Sequence, residues 1–214
     1  MSDDIVHAGD RRVVDGDDQV TPGQDGLWIA RHDHVTRAAL QPGLRRRTAL
    51  DHLGDERAAL DRQIEQAVDV ALRDGSPLSL VVIDNDHFKG YNDRYGHLAG
   101  DDALRCLART MAANVRQDDL CFRYGGEEFV ILLPGQTTVQ AMAVAERIRE
   151  AYRTGSASDS GPGGTISLGV AELRPGDTAT SLLARGDAAL YHAKEQGRDR
   201  VEQAPWALPE TPPG

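Results

Sequence analysis

Lysine is nearly missing from this chain: Lys89 and Lys194 stand alone among 24 basic residues, the rest being arginine. Where arginine has displaced lysine almost everywhere, a surviving lysine marks a place that needs a compact, flexible ammonium. Cysteine is as scarce. Cys106 and Cys121 lie in apolar segments without metal-ligand spacing, and they read as buried thiols in a reducing compartment rather than a disulfide. No stretch approaches the roughly 18 apolar residues of a membrane span, and the acidic start Met1-Ser2-Asp3-Asp4 is unlike a secretory leader. The expectation is a soluble, cytoplasmic protein with no membrane partner. Positive charge is short overall. Thirty-four acidic against 24 basic residues leave a formal net charge of −10, the wrong sign for a surface whose main partner is nucleic acid. A phosphate ligand is still compatible, because local cations can sit inside an acidic protein.

What is present is ordinary globular composition, 40% hydrophobic and 27% charged over 214 residues, enough for one domain and a modest extension. Residues 1–25, rich in Asp, Gly, Gln and Pro, read as a disordered lead-in. Trp28, Ile29, His32, Val35 and Ala39 fall at helical spacing, so 26–50 reads as a short helical extension and a possible dimerisation segment. Arg45-Arg46-Arg47 in an acidic chain reads as a solvated face or an intersubunit ion-pair site. A helical stripe follows over 55–74, stopped by Gly75-Ser76-Pro77. Leu78 to Asp84 is a strand whose apolar density predicts burial on both sides. Asn85 to Gly100 reads as a polar segment, and a helix is predicted from Asp101 to about Val115 with Leu104, Leu107, Ala108 and Met111 inward. Strand-like runs 120–124 and 129–133 form a hairpin. A helix over about 137–153, a loop over 156–164, a strand over 165–172 and a helix over about 179–196 complete the pattern, with 204–214 as a disordered tail. There is no internal repeat. The order predicts an α+β fold with a ferredoxin-like βαββαβ core, an antiparallel central sheet with its helices on one face, and additional helices.

The chemistry concentrates at Arg123-Tyr124-Gly125-Gly126-Glu127-Glu128-Phe129. Gly-Gly between strands predicts a tight turn using the positive φ that glycine tolerates. Adjacent strand residues point to opposite faces, so Glu127 and Glu128 are expected to serve different surroundings. In the predicted topology the end of the first strand, Asp84-Asn85-Asp86, approaches this turn. Two carboxylates about 4 Å apart repel by about 1 kcal/mol in water and roughly 4 kcal/mol at an effective dielectric of 20. Three or four converging acids therefore predict a cation, and hard oxygen ligands with open positions suit Mg²⁺ or Mn²⁺ shared with substrate phosphates.

From about Asp51 to Val201–Gln203 the chain resembles the diguanylate cyclase (GGDEF) domain family, with Gly125-Gly126-Glu127-Glu128-Phe129 as a Gly-Gly-Glu-Glu-Phe variant. Further motifs stand in register: Asp84-Asn85-Asp86-His87-Phe88-Lys89, Asn92-Asp93-Arg94-Tyr95-Gly96-His97, Gly100-Asp101, Ser167-Leu168-Gly169, and Ala188 through Arg198. The resemblance implies a palm-like fold, as in nucleotidyl cyclases and polymerases, and a homodimer that condenses two GTP into cyclic di-GMP and two pyrophosphates. It implies Asp84 and Glu127 as metal-binding carboxylates and the backbone carbonyl of Asn85 as a further ligand. Glu128 is implied as proton acceptor or second metal ligand, with its role and that of Glu127 not separated. It implies nucleotide contacts from Phe88, His97, Gly125 and Gly126, guanine reading by Asn92 and Asp101, and phosphate binding by Lys89, Lys194 and Arg198. Both surviving lysines thus fall at phosphate positions. Arg116 and Asp119, ending a helix just before the hairpin, match the family's product-inhibition site; the alternative is a surface Arg–Asp pair. The chain departs from the family at Asp51-His52-Leu53-Gly54-Asp55-Glu56-Arg57, a shortened remnant of the usual opening signature. A different class of function, a catalytically silent receptor for GTP or cyclic di-GMP, is disfavoured because Glu127, Glu128, Asn92 and Asp101 are all present.

Overall fold

A computed structural model of the chain describes residues 52–159 and 164–205. The expected lead-in, the Trp28–Ala39 helix, the Arg45–Arg47 run and the tail beyond 205 lie outside the described residues. The elements are α1 (His52–Asp74), β1 (Leu78–Asn85), α2 (Phe88–Tyr95), α3 (His97–Asn114), β2 (Leu120–Arg123), β3 (Glu128–Pro134), α4 (Thr138–Asp159), β4 (Ile166–Glu172), α5 (Ala179–Glu195) and β5 (Val201–Gln203). The sheet order is β2-β3-β1-β4-β5. β1 pairs antiparallel with β3 and β4, β2 antiparallel with β3, and β5 parallel with β4. This is the βαββαβ core, with β1 in the middle.

Every residue of β1 is buried, because both faces of the sheet are covered. Val81 and Ile83 point to one side and join Leu107, Met111, Ala145 and Ile148 of α3 and α4. Leu80 and Val82 point to the other, against Leu60, Ile64 and Val68 of α1 and Leu182 and Leu190 of α5. The expectation of helices on one face is corrected here. α3 and α4 cover the face that a bare ferredoxin-like core covers, and the apolar stripes of α1 and α5 bury the second.

α5 is fixed closely, and this placement matters for the site. Thr178 and Ser181 cap its start reciprocally: Thr178 Oγ1 accepts from the Ser181 N–H at 3.1 Å, and Ser181 Oγ accepts from the Thr178 N–H at 2.9 Å. A Cβ on Gly169 of β4 would lie 2.2 Å from both the Gly186 carbonyl oxygen and the Leu190 nitrogen. The α5 backbone therefore rests directly on β4, which carries its last turn to the end of β1.

Several boundaries differ from expectation. The segment 85–100 is not a loop: it holds α2 and the start of α3, because Phe88 anchors the first helix in the core and Gly96 (φ 85°) turns the chain into the next. Asp101 accordingly sits within α3 rather than at its start. α4 continues past Arg153 to Asp159. β5 was not expected. No described helix is long and apolar enough to cross a membrane.

Candidate active site

The central strand ends in polar residues that the pleat deals to different sides. Asp84 lies on the α5 side, in line with Val82. It is buried, and Lys194 Nζ in the last turn of α5 donates to its Oδ2 at 2.8 Å. Burial raises the Asp84 pKa and the neighbouring Asp86 adds to that, while Lys194 and Arg198 act against it. Asn85 points to the α4 side, where its Nδ2 donates to the Tyr152 hydroxyl at 2.9 Å. That hydroxyl is itself buried, and its pKa is pushed up to about 12. The Asn85 side chain is thereby held in the core, and its backbone N–H donates to the Glu127 carbonyl at 3.4 Å.

That last bond joins β1 to the hairpin. Asp84 pairs across the sheet with Glu128, and β3 runs on from there. The hairpin is wider than a two-residue turn: residues 124–127 lie between β2 and β3. Neither Gly125 nor Gly126 has a positive φ, so the expected reason for the glycines is corrected. The loop is closed instead by Arg123, whose Nε donates to the Gly125 carbonyl at 3.2 Å and whose Nη2 donates to the Gly126 carbonyl at 2.7 Å. The N–H groups of Tyr124 and Gly125 both donate to the Glu128 carbonyl. Gly125 is needed for a close approach, since a Cβ there would lie 2.6 Å from Glu128 Oε2. Gly126 meets no such neighbour.

Glu127 precedes the strand, so the alternation rule does not govern it. It is half-buried, and its pKa is raised by desolvation and by the charge of Asp84, with Lys194 lowering it and Glu128 raising it. Asp84, Glu127 and Lys194 thus share one electrostatic site. This is narrower than the expected convergence of three or four acids: among the described residues no group of three or more His, Cys, Asp and Glu is placed to hold a metal. Asp86 is one acid withdrawn from the set, its carboxylate being drawn away to Thr165, Ser167 and the Asp199 N–H.

On α2 and α3, Asn92 is half-buried and its Oδ1 is a buried acceptor with no hydrogen-bond partner among the described residues. It fills a notch beside Gly100, where a Cβ would lie 1.8 Å from that oxygen. Asp101 and His97 are exposed. Lys89 is exposed in the first turn of α2. Phe88 is buried among Ile83, Leu104 and Ile166, so its backbone N–H, not its ring, is what it can offer a ligand. Arg198 is exposed in the turn after α5. Arg116 lies in the turn just after α3, past its C-cap Val115, with its side chain exposed. Asp119 is buried: it accepts the Arg116 backbone N–H at 2.7 Å and Gln136 Nε2 at 2.8 Å. Its pKa is raised by burial, against those bonds.

Residues 50–200 match the model of a family described as diguanylate cyclase, GGDEF domain. The chain belongs to that family. It is 41% identical over 150 residues to the diguanylate cyclase DgcP of Pseudomonas aeruginosa, covering 69% of this chain and 22% of that protein. The crystal structure of the GGDEF domain of DgcB from Caulobacter crescentus in complex with c-di-GMP aligns with a TM-score of 0.67 at 33% identity, over 78% of this chain and 99% of that one. The structure of the active GGEEF domain of a diguanylate cyclase from Vibrio cholerae aligns with a TM-score of 0.67 at 34% identity, over 71% of this chain and 97% of that one. The chain spans well under half the length of the curated relatives it matches.

As a GGDEF domain, the chain has donors that fit a hard divalent cation shared with a phosphate. Asp84, Glu127 and the Asn85 carbonyl are all oxygen donors, and both acids are partly desolvated beside each other, with Lys194 as the cation now facing Asp84. The roles of three residues already named from the sequence, Arg123, Asp86 and Gly100, were not foreseen. An arginine beside Gly-Gly and a second aspartate two residues after Asp84 were visible as residues. Their hydrogen-bond partners are set by tertiary contacts and left no local signal.

Proposed function

We propose that this chain is a diguanylate cyclase that joins two GTP into cyclic di-GMP with release of two pyrophosphates. The observation that carries the reading is the meeting of Asp84, Glu127 and Lys194 at one end of the central strands, within a GGDEF frame. A site of this kind presents one GTP, so a homodimer with two sites face to face is the active species, with 26–50 assisting dimerisation and 51–203 as the catalytic domain.

Lys194, Arg198 and Lys89 bind the triphosphate. The first N–H groups of α2, Phe88 and Lys89 among them, are proposed as further donors to the phosphates. Asn92 and Asp101 read the guanine edge, an amide and a carboxylate matching its mixed acceptors and donors, and the unpartnered Asn92 Oδ1 is an acceptor waiting for a donor. His97 flanks the nucleotide. Asp84, Glu127 and the Asn85 carbonyl, with Glu128 beside them, would hold Mg²⁺ or Mn²⁺, which when bound would neutralise charge on the phosphates and acidify the ribose 3′-hydroxyl. The carboxylates at hand for that proton are Glu127 and Glu128. Gly125 and Gly126, clamped by Arg123, keep the hairpin slim where the nucleotide passes.

Arg116 is proposed as the cyclic di-GMP ligand of a product-inhibition site, through a bidentate guanidinium contact. Asp119 supports it by capping the turn. The cytoplasm, where GTP is found, is the proposed location. Incubation with GTP and Mg²⁺ followed by identification of the nucleotide product tests the whole reading.

A further inference from the structure

Asp86 is buried at the end of β1, and the proposed chemistry does not use it. Its carboxylate is fully engaged. Oδ1 accepts from Ser167 Oγ at 2.7 Å, and Oδ2 accepts from Thr165 Oγ1 at 2.7 Å and from the Asp199 backbone N–H at 3.0 Å. Its own N–H donates to the Thr165 carbonyl at 2.9 Å. Most of these bonds fasten β1 to the start of β4. The bond to Asp199 is different in kind, because it reaches across 113 residues to the turn that carries Arg198.

That turn is an unusual piece of backbone. Gly197 (φ 112°), Arg198 (φ 65°) and Asp199 (φ 44°) are consecutive residues in the left-handed region. Two successive non-glycine residues in that region persist only where surrounding contacts impose them. Here the Arg198 N–H donates to the Ala193 carbonyl at 3.0 Å, Arg149 Nη1 pairs with Asp199 Oδ1 at 2.5 Å, and the Arg200 carbonyl accepts from Leu168 at 2.9 Å. The Asp86–Asp199 bond ties this turn to the strand that carries Asp84.

We propose that Asp86 is a positioning residue: by holding the Asp199 amide it sets the Arg198 guanidinium against the nucleotide's phosphates, in register with Asp84 two residues away. The inference rests on the reading that Arg198 binds phosphate. It is tested by a cycle of Asp86→Ala, Asp86→Asn, Arg198→Ala and the double variants of the full chain. Affinity is read with 3′-deoxy-GTP, which lacks the attacking hydroxyl, and with guanosine, which lacks phosphates. Asp86→Ala is expected to weaken 3′-deoxy-GTP about tenfold, leave guanosine unchanged, and add less than about twofold when Arg198 is already alanine. Asp86→Asn keeps the shape and an acceptor oxygen for the amide, so it is expected to lose about threefold. If the alanine variant does not fold, the asparagine variant replaces it in the same cycle. Equal weakening in both backgrounds, equal loss of guanosine affinity, or no loss at all would overturn the proposal. An Arg198→Ala variant that binds 3′-deoxy-GTP normally would instead overturn the phosphate role on which it rests.

Discussion

Adding one methyl group at Gly100 is expected to separate stability from nucleotide affinity. A Cβ there would stand 1.8 Å from Asn92 Oδ1, 2.9 Å from Asn92 Cγ and 3.2 Å from Phe88 Cζ. Phe88 needs to give only a few tenths of an ångström, but the Asn92 carboxamide has to leave its notch. Leaving costs the fold little, because that oxygen has no hydrogen-bond partner to lose. Gly100 lies inside α3, where alanine is favoured over glycine by about 0.5–1 kcal/mol. A gain of that size raises the melting temperature of a domain this large by at most about 2–4 °C. The guanine edge, in contrast, loses a paired amide contact of about 1–3 kcal/mol. That converts to roughly 5- to 150-fold weaker GTP binding. Thermal melting and 3′-deoxy-GTP titration of Gly100→Ala should therefore move in opposite directions. Unchanged affinity would refute Asn92 as a guanine reader, and a fall of more than about 5 °C would refute the claim that its carboxamide can move freely.

Glu127→Gln should lower turnover by about a hundredfold or more while the melting temperature holds or rises, since burial and Asp84 both work against the charge it removes; a stable variant of normal activity would remove Glu127 from the site. Arg116→Ala should raise the half-inhibiting concentration of cyclic di-GMP about tenfold, and an unchanged inhibition curve would leave Arg116 as an ordinary surface residue. The raised pKa of buried Asp119 carries a sign. The folded chain holds that proton to higher pH than the unfolded chain does, so native stability falls as pH rises from the ordinary aspartate value of about 3.9 through the raised native one. In denaturant melts, wild type should lose stability relative to Asp119→Asn across that window and regain it on acidification; the opposite slope would contradict the buried placement.

Much of this was legible because apolar pattern and local chemistry agree. The apolar run Leu78–Ile83, broken only by Ser79, announced a strand buried on both sides, although α1 and α5 as the cover of its second face were not foreseen. The acids Asp84 and Glu127 were readable as a cation site, the phosphate role of the two lysines came only with the family resemblance, and the fold brings Asp84, Glu127 and Lys194 together. What was hidden is long-range. α2 has one buried residue, Phe88, so it leaves no helical stripe to detect. β5 is three partly exposed residues, recruited by parallel pairing with β4 rather than by any preference of its own. The hairpin glycines signalled a turn by composition, yet the loop's shape comes from the Arg123 guanidinium and from the space that Glu128 takes beside Gly125. Asp86 looked like one more acid for a cluster; two hydroxyls and a distant amide claim it instead.

The central claim is that the Asp84–Glu127–Lys194 site joins two GTP molecules across a dimer. Its most direct test is a product assay with purified full chain, GTP and Mg²⁺ over a range of protein concentrations. The account predicts cyclic di-GMP with two pyrophosphates for each, and a specific rate that climbs with protein concentration as dimers form. GTP bound but left unconverted at the highest concentration would contradict it, and would leave the chain a nucleotide receptor instead of an enzyme.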